Sequence, residues 1–305
     1  MRLIRSLAVT LAIVLVLPGL AFPQDFQGVI KDRTVELDDE GLYDLLWADA
    51  EDEPEFETEA EWFRHTAELL FQIPIEQILA NASGDEAETT MWVKGNKVRV
   101  ADTRAGSGGD YALFDIETMT TTMVMSGTRS YIQYTPEEVE AATREMMASM
   151  GIDPDEVAAM EDYEFEYEDD MEGGVNLEPT VRPLNRTDEV NGLQASAFQA
   201  EAGREIGLGW CAEDVTGMRA TMARMAAQMD QLDADEDSDG GPSVEDLLCE
   251  DALPVRVQVL IFDAMGGGLR YSVNETLSVE RTSVDDGLFA IPDGYTQMSL
   301  SEMWR

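Results

Sequence analysis

Along much of the chain apolar and polar residues alternate with the period of two that a half-buried strand requires. The pattern is plainest near the C-terminal end, where Val255, Val257, Val259 and Ile261 alternate with Arg256 and Gln258. Leu269, Tyr271 and Val273 likewise alternate with Arg270, Ser272 and Asn274. Earlier, Val98 and Val100 alternate with Lys97 and Arg99 just after Lys94-Gly95-Asn96-Lys97, so residues 89–103 predict two strands about a tight turn. Further strands are predicted at 26–37, 110–116, 119–125, 129–134, 179–184, 193–200 and 204–211.

Helical spacing interrupts these strands at 41–80, which carries Trp47, Trp62, Phe63, Leu69, Leu70 and Phe71, and again at 136–160, 213–232 and 243–249. Met218, Met222, Met225, Met229 and Leu232 form one stripe along a helix, and Met146, Met147 and Met150 form a smaller cluster on the helix before. Such a stripe either fills a core or offers an adaptable surface to acyl chains or a partner helix, and both readings stay open. Two strand sets, each interrupted by helices, predict an α+β protein: a curved antiparallel sheet in half-barrel form with helices packed over its concave face. No short-period repeat supports a solenoid or propeller.

The N-terminus changes the picture of where this sheet works. Arg2 and Arg5 precede an apolar stretch at 7–17, and Pro18-Gly19-Leu20-Ala21 ends in small residues, the order of a secretory signal peptide covering 1–21. Residues 22–305 are then expected as a single β-rich domain with helical insertions at about 41–80, 136–175 and 213–250. The expected location is periplasmic or otherwise exported, soluble, with no transmembrane segment after cleavage and no cysteine placed for a lipid anchor.

Charge narrows the partners. The chain carries 63 Asp and Glu against 20 Lys and Arg, a formal charge of -43, and its only lysines are Lys31, Lys94 and Lys97. That many like charges repel one another in dilute buffer, whereas molar salt shortens the screening length to about 3 Å. The surface therefore reads as that of an exported protein of a halophilic bacterium. Nucleic acid and anionic membrane surfaces are poor partners for this field. A hydrophobic content of 44% excludes disorder for most of the length.

Catalytic chemistry has little to stand on. His65 is the single histidine, within the helical pattern of Trp62, Phe63, Thr66, Leu69 and Leu70, and no nucleophile motif accompanies it. Carboxylates are too numerous for any one pair to stand out as an acid/base couple. A binding protein is expected, not an enzyme. Cys211 and Cys249 are the only cysteines, and an oxidising compartment favours a disulfide between them over two free thiols. The run Asp235-Glu236-Asp237-Ser238-Asp239-Gly240 opens like a calcium loop. Pro242 and Asp246 then depart from the pattern, so a solvated linker stands beside a calcium site at Asp235, Asp237, Asp239 and Asp246. No other cofactor is expected.

A set of strings, taken together, is familiar in order. These are Met91-Trp92-Val93-Lys94-Gly95-Asn96-Lys97-Val98-Arg99-Val100, Phe114-Asp115, the Met- and Thr-rich strand 119–125 and Val190-Asn191-Gly192-Leu193. Gly209-Trp210-Cys211, Leu253-Pro254-Val255-Arg256 and Leu288-Phe289-Ala290-Ile291-Pro292-Asp293-Gly294-Tyr295 follow. Together they resemble the exported family known as domain of unknown function 4412, over roughly residues 26–300 outside the helical insertions. The resemblance implies a fold similar to the LolA and LolB lipoprotein carriers, an incomplete antiparallel barrel that holds acyl chains beneath helices. It implies lipid or lipoprotein acyl chains as the ligand and brings no established catalytic residue. The alternative is an envelope protein interaction module, with helices filling the concave face and no small ligand.

Overall fold

The computed structural model describes residues 26–37, 39–47, 56, 58–81, 86–102, 109–149, 175–214, 217–219, 221, 243–249, 252–263 and 268–303. Within them the strands are β1 (Gln27–Leu37), β2 (Glu86–Lys94), β3 (Lys97–Asp102), β4 (Tyr111–Asp115), β5 (Thr120–Met125) and β6 (Ser130–Tyr134). There follow β7 (Leu177–Val190), β8 (Leu193–Gly203), β9 (Glu205–Ala212), β10 (Leu253–Asp263), β11 (Gly268–Arg281) and β12 (Thr296–Met298). Helices are α1 (Asp39–Trp47), α2 (Glu59–Leu70), α3 (Ile75–Asn81), α4 (Pro136–Ser149), α5 (Val244–Leu247) and α6 (Leu300–Met303).

All twelve strands join one sheet in the order β12-β6-β5-β4-β3-β2-β1-β11-β10-β9-β8-β7. The alternation that predicted β3 is realised, with Val98 and Val100 buried and Arg99 between them half-buried. At the β7–β8 turn Asn191 and Gly192 take φ of 50° and 83°, and the two-residue loop closes the pair Val190↔Leu193. Asn-Gly suits this turn because both central residues need positive φ, which an asparagine tolerates and a glycine adopts freely. Helix α2 starts where Thr58 caps the Glu61 N–H and Glu59 and Glu61 meet the positive helix end.

The expected fold class is corrected here. The sheet is mixed, because β12 lies parallel to β6, and it is open, ending at β12 and β7. The helices do not form a layer over a concave face. Leu42 of α1, Phe63, Ala67 and Leu70 of α2 and Ile78 of α3 pack with Val35, Leu37, Leu260, Tyr271 and Val273, at one end of β1, β10 and β11. Helix α4 buries no residue at all. The physical reason is that periodicity reveals that a helix has an apolar stripe, while the surface on which the stripe lands is set by long-range contacts. The described helices are also too short and few to cover twelve strands.

Helix α5 lies instead against β8 to β10, where Val244 and Leu248 pack with Ala200, Val257 and Val259. Glycine at 207 permits this approach, since a Cβ there would stand 2.9 Å from Leu248 Cδ1. The Cys211–Cys249 disulfide, with Cα atoms 5.3 Å apart, ties β9 to the end of this segment. Both sulfur-bearing residues are buried.

The sheet forks in its middle. Strand β10 accompanies β11 from Asp263↔Gly268 to Arg256↔Glu275, and beyond Glu275 the register of β11 continues with β1 alone. Lys31 faces Ser278 while Asp32 faces Thr276, so Leu277 is the extra residue of a β-bulge at the parting. The β7–β8 turn reaches the same point, with Asn191 Nδ2 donating to the Thr276 carbonyl at 2.9 Å. Val190 and Leu193 beside it belong to the cluster that also holds Ile30, Met91, Trp210, Leu253 and Val279.

Candidate functional site

Two places concentrate polar chemistry on this sheet. The first is the fork. Glu275 is 4% exposed and lies in register between Arg33 of β1 and Arg256 of β10. Arg33 Nη2 meets Glu275 Oε2 at 2.5 Å, and Arg256 Nε donates to Oε1 at 3.0 Å with its Nη2 on the same oxygen. The Arg256 guanidinium also lies 5.4 Å from the Trp210 ring centre, and Trp210 Nε1 donates to Asp188 Oδ2 at 2.9 Å. Arg186 pairs with the same Asp188 oxygen at 2.7 Å. A carboxylate held by two guanidinia is a fixed structural tie, since both its oxygens are committed. It locks the last rung before the strands part.

On the other side of β1, by strand alternation, lies Asp32. Burial pushes its carboxyl up to about 7, against a hydrogen bond from Thr276 that pulls the other way. Nearby in register, Thr34 Oγ1 donates to Asn274 Oδ1 at 2.8 Å, while the buried Asn274 Nδ2 has no partner.

The second place is the surface of β2 to β6, crossed by residues 285–298. Lys94 Nζ pairs with Asp286 Oδ1 at 2.8 Å, Arg99 Nη1 donates to the Leu288 carbonyl at 3.0 Å and the Tyr111 hydroxyl to the Ala290 carbonyl at 3.4 Å. Phe289 and Tyr295 pack on Tyr111, Leu113 and Val124. The segment then joins the sheet edge as β12, and Thr296 N–H donates to the Arg129 carbonyl at 3.0 Å. Arg99 stacks on Tyr111 at 3.6 Å from its ring centre and lies 5.4 Å from that of Trp92. Its Nε is buried without a partner. Burial lowers the Arg99 pKa and raises that of Tyr111.

The residues singled out by sequence fall apart in space. Met218 is 3% exposed and sits in the large cluster with Trp210 and Leu253, so it is core. Met146 is exposed on α4 and Met147 is half-buried there. Met150, Met222, Met225 and Met229 lie outside the described residues, as do Asp235, Asp237 and Asp239. Asp246 belongs to α5, with its side chain outside the described set. His65 is half-buried, its ring 5.2 Å from that of Phe56. Among the described residues no group of three or more His, Cys, Asp or Glu is placed to hold a metal ion.

Sequence reasoning missed Arg99, Arg33, Arg256 and Glu275 as a site. For Arg99 and Arg256 the one signal was charge between apolar strand neighbours, which is also what a solvated strand face shows, and Arg33 and Glu275 stand between polar residues and gave no signal. Among the described residues no helix is long and apolar enough to cross a membrane, and the disulfide is the chemistry of an oxidising compartment.

No family model matches the chain, and no curated protein matches it. Solved structures of PNGF-II in two space groups align with it at TM-score 0.30, with 9% and 8% identity. They cover 90% and 91% of this chain, which spans 32% of theirs, about a third of their length. At that TM-score the likeness carries no conclusion about fold or function.

Proposed function

We propose that the protein is an exported binding module that engages a protein partner in the cell envelope and carries no small apolar ligand. The observation that supports this most is Met218. It is the described member of the stripe expected to receive acyl chains, and it is buried in one apolar cluster with Trp210 and Leu253. Other parts of the described sheet are also covered by the chain's own segments: the β7–β8 turn at the fork, α1 to α3 at one end and residues 285–298 across β2 to β6, while most of β7 stays exposed. Export rests on the signal-like N-terminus and agrees with a disulfide.

An acyl-chain ligand is the second reading, favoured by Met146 and Met147 on a helix that buries no residue. One experiment separates the two. Delipidated protein, folded in high salt, is titrated with a fluorescent fatty acyl probe, and protein purified without delipidation is weighed by native mass spectrometry. No saturable uptake and no lipid adduct are expected; saturable uptake would replace the interaction module by the carrier.

A further inference from the structure

We propose that the surface of β2 to β6 beneath residues 285–298 is a binding site for an extended acidic peptide of a partner protein, occupied in the free protein by the chain's own C-terminal segment. The inference rests on the interaction-module reading and supplies its partner class.

The first ground is how the segment is held. Strap residues 285–298 contain no buried side chain, and Val284 just before them is buried and marks where the strap is anchored. Arg99 and Tyr111 of the sheet grasp main-chain carbonyls, at Leu288 and Ala290. The edge pairing with β6 is also main-chain and only three residues long. Recognition through the main chain is tolerant of sequence, so another extended segment satisfies the same groups by strand addition.

Charge is the second ground. In a chain of net charge -43, two of the three lysines, Lys94 and Lys97, lie with Arg99 beneath the strap. The strap meets them with Asp286, whose carboxyl is held below its usual range by the hydrogen bond and charge of Lys94 and, less, by Lys97. This corner therefore selects an acidic segment, the kind of peptide that the remaining surface repels.

The third ground is that the strap fits imperfectly. Opposite Arg99 it offers a neutral carbonyl, and the buried Nε is left with nothing to bind. A buried unsatisfied donor is costly, and a guanidinium is matched best by a carboxylate that takes two of its N–H groups at once. A partner peptide with Glu or Asp at the place of Leu288 would supply that match. The tethered strap competes as an intramolecular ligand at a millimolar effective concentration, which keeps the site closed to weak binders.

The test uses the full chain and a fluorescein-labelled peptide of residues 285–298 carrying Leu288→Glu. Anisotropy titrations are run on the wild type, on Asp286→Lys, which loosens the strap at Lys94, and on Asp286→Lys with Arg99→Gln. Saturable binding is expected, about tenfold tighter to Asp286→Lys than to the wild type, and weakened at least tenfold again by Arg99→Gln. Amide exchange at 285–298 should rise when the peptide binds, because the strap is displaced. Each variant is checked for a cooperative melt and an intact disulfide. A folded Asp286→Lys protein that takes no peptide, or binding indifferent to Arg99→Gln, would overturn the proposal. If the acyl probe is also refused, the interaction module survives with its site elsewhere; if the probe is taken up, both fall.

Discussion

The Asn191 side chain donates to the Thr276 main-chain carbonyl at 2.9 Å, across 85 residues of sequence and past two intervening strands. Thr276 is the first residue of β11 beyond its last rung with β10, so Asn191 serves a carbonyl that the parting of the strands leaves unpaired. A turn residue chosen for its positive φ thus also closes the fork.

Replacing Asn191 by Gly keeps the turn conformation and removes only the donor. Urea unfolding in high salt should show a loss of about 1 kcal/mol, the worth of one hydrogen bond to a partly buried group. Asn191→Ala should lose more, because alanine must also hold a positive φ.

At Glu275 the expected effects are larger. Glu275→Gln leaves Arg33 and Arg256 beside a neutral group in a mostly buried place and should cost about 3 to 5 kcal/mol. Replacing all three together, as Arg33→Met, Glu275→Leu and Arg256→Met, should cost less than Glu275→Gln alone, since no unpaired charge remains. Denaturant midpoints of the two variants give the order directly.

Asp32 sets a pH dependence whose sign follows from burial. Its carboxyl stands at about 7 in the fold against 3.8 as a free side chain, so between these values the folded protein holds a proton that the unfolded chain releases. Stability from this group is therefore present at the acid end and is lost as pH rises towards 7, by at most about 4 kcal/mol. Asp32→Asn stays neutral throughout. It should be more stable than the wild type at pH 8, with the advantage shrinking towards pH 5, as read from urea midpoints at both pH values.

Net charge makes its own demand. With 63 acids against 20 bases, the melting temperature should climb by many degrees between about 0.1 M and several molar KCl as screening removes self-repulsion. A melt indifferent to salt would remove the high-salt reading.

Much of the strand content was legible because local alternation is a physical requirement of a half-buried strand. β1 to β6 and β8 to β10 fall within a few residues of where the apolar pattern places them, and β11 starts there but runs on to Arg281, past the alternation that ends at Asn274. The tight turn Lys94-Gly95-Asn96-Lys97 was equally legible, and it closes the pair Lys94↔Lys97 with Gly95 at a φ of 59°. The cysteine pair followed from number and compartment, with no other partner for either sulfur. By itself, then, the chain determined its strands, its tight turns, its disulfide and its acidic surface.

What it left to tertiary structure were choices between distant partners. Strand β12 has three residues and no alternation to betray it, and its parallel pairing with β6 exists only because the strap crosses β2 to β5 first. Met218 looked the same in sequence whether exposed or buried, and only the tertiary structure places it, buried, in one apolar cluster with Trp210. Arg33, Glu275 and Arg256 are separated by up to 242 residues, and only register brings them to one rung. Local pattern fixes what a segment does to its own neighbours along the chain. Which strand lies beside which, and where the sheet forks, is decided by the sum of long-range contacts that no short window contains.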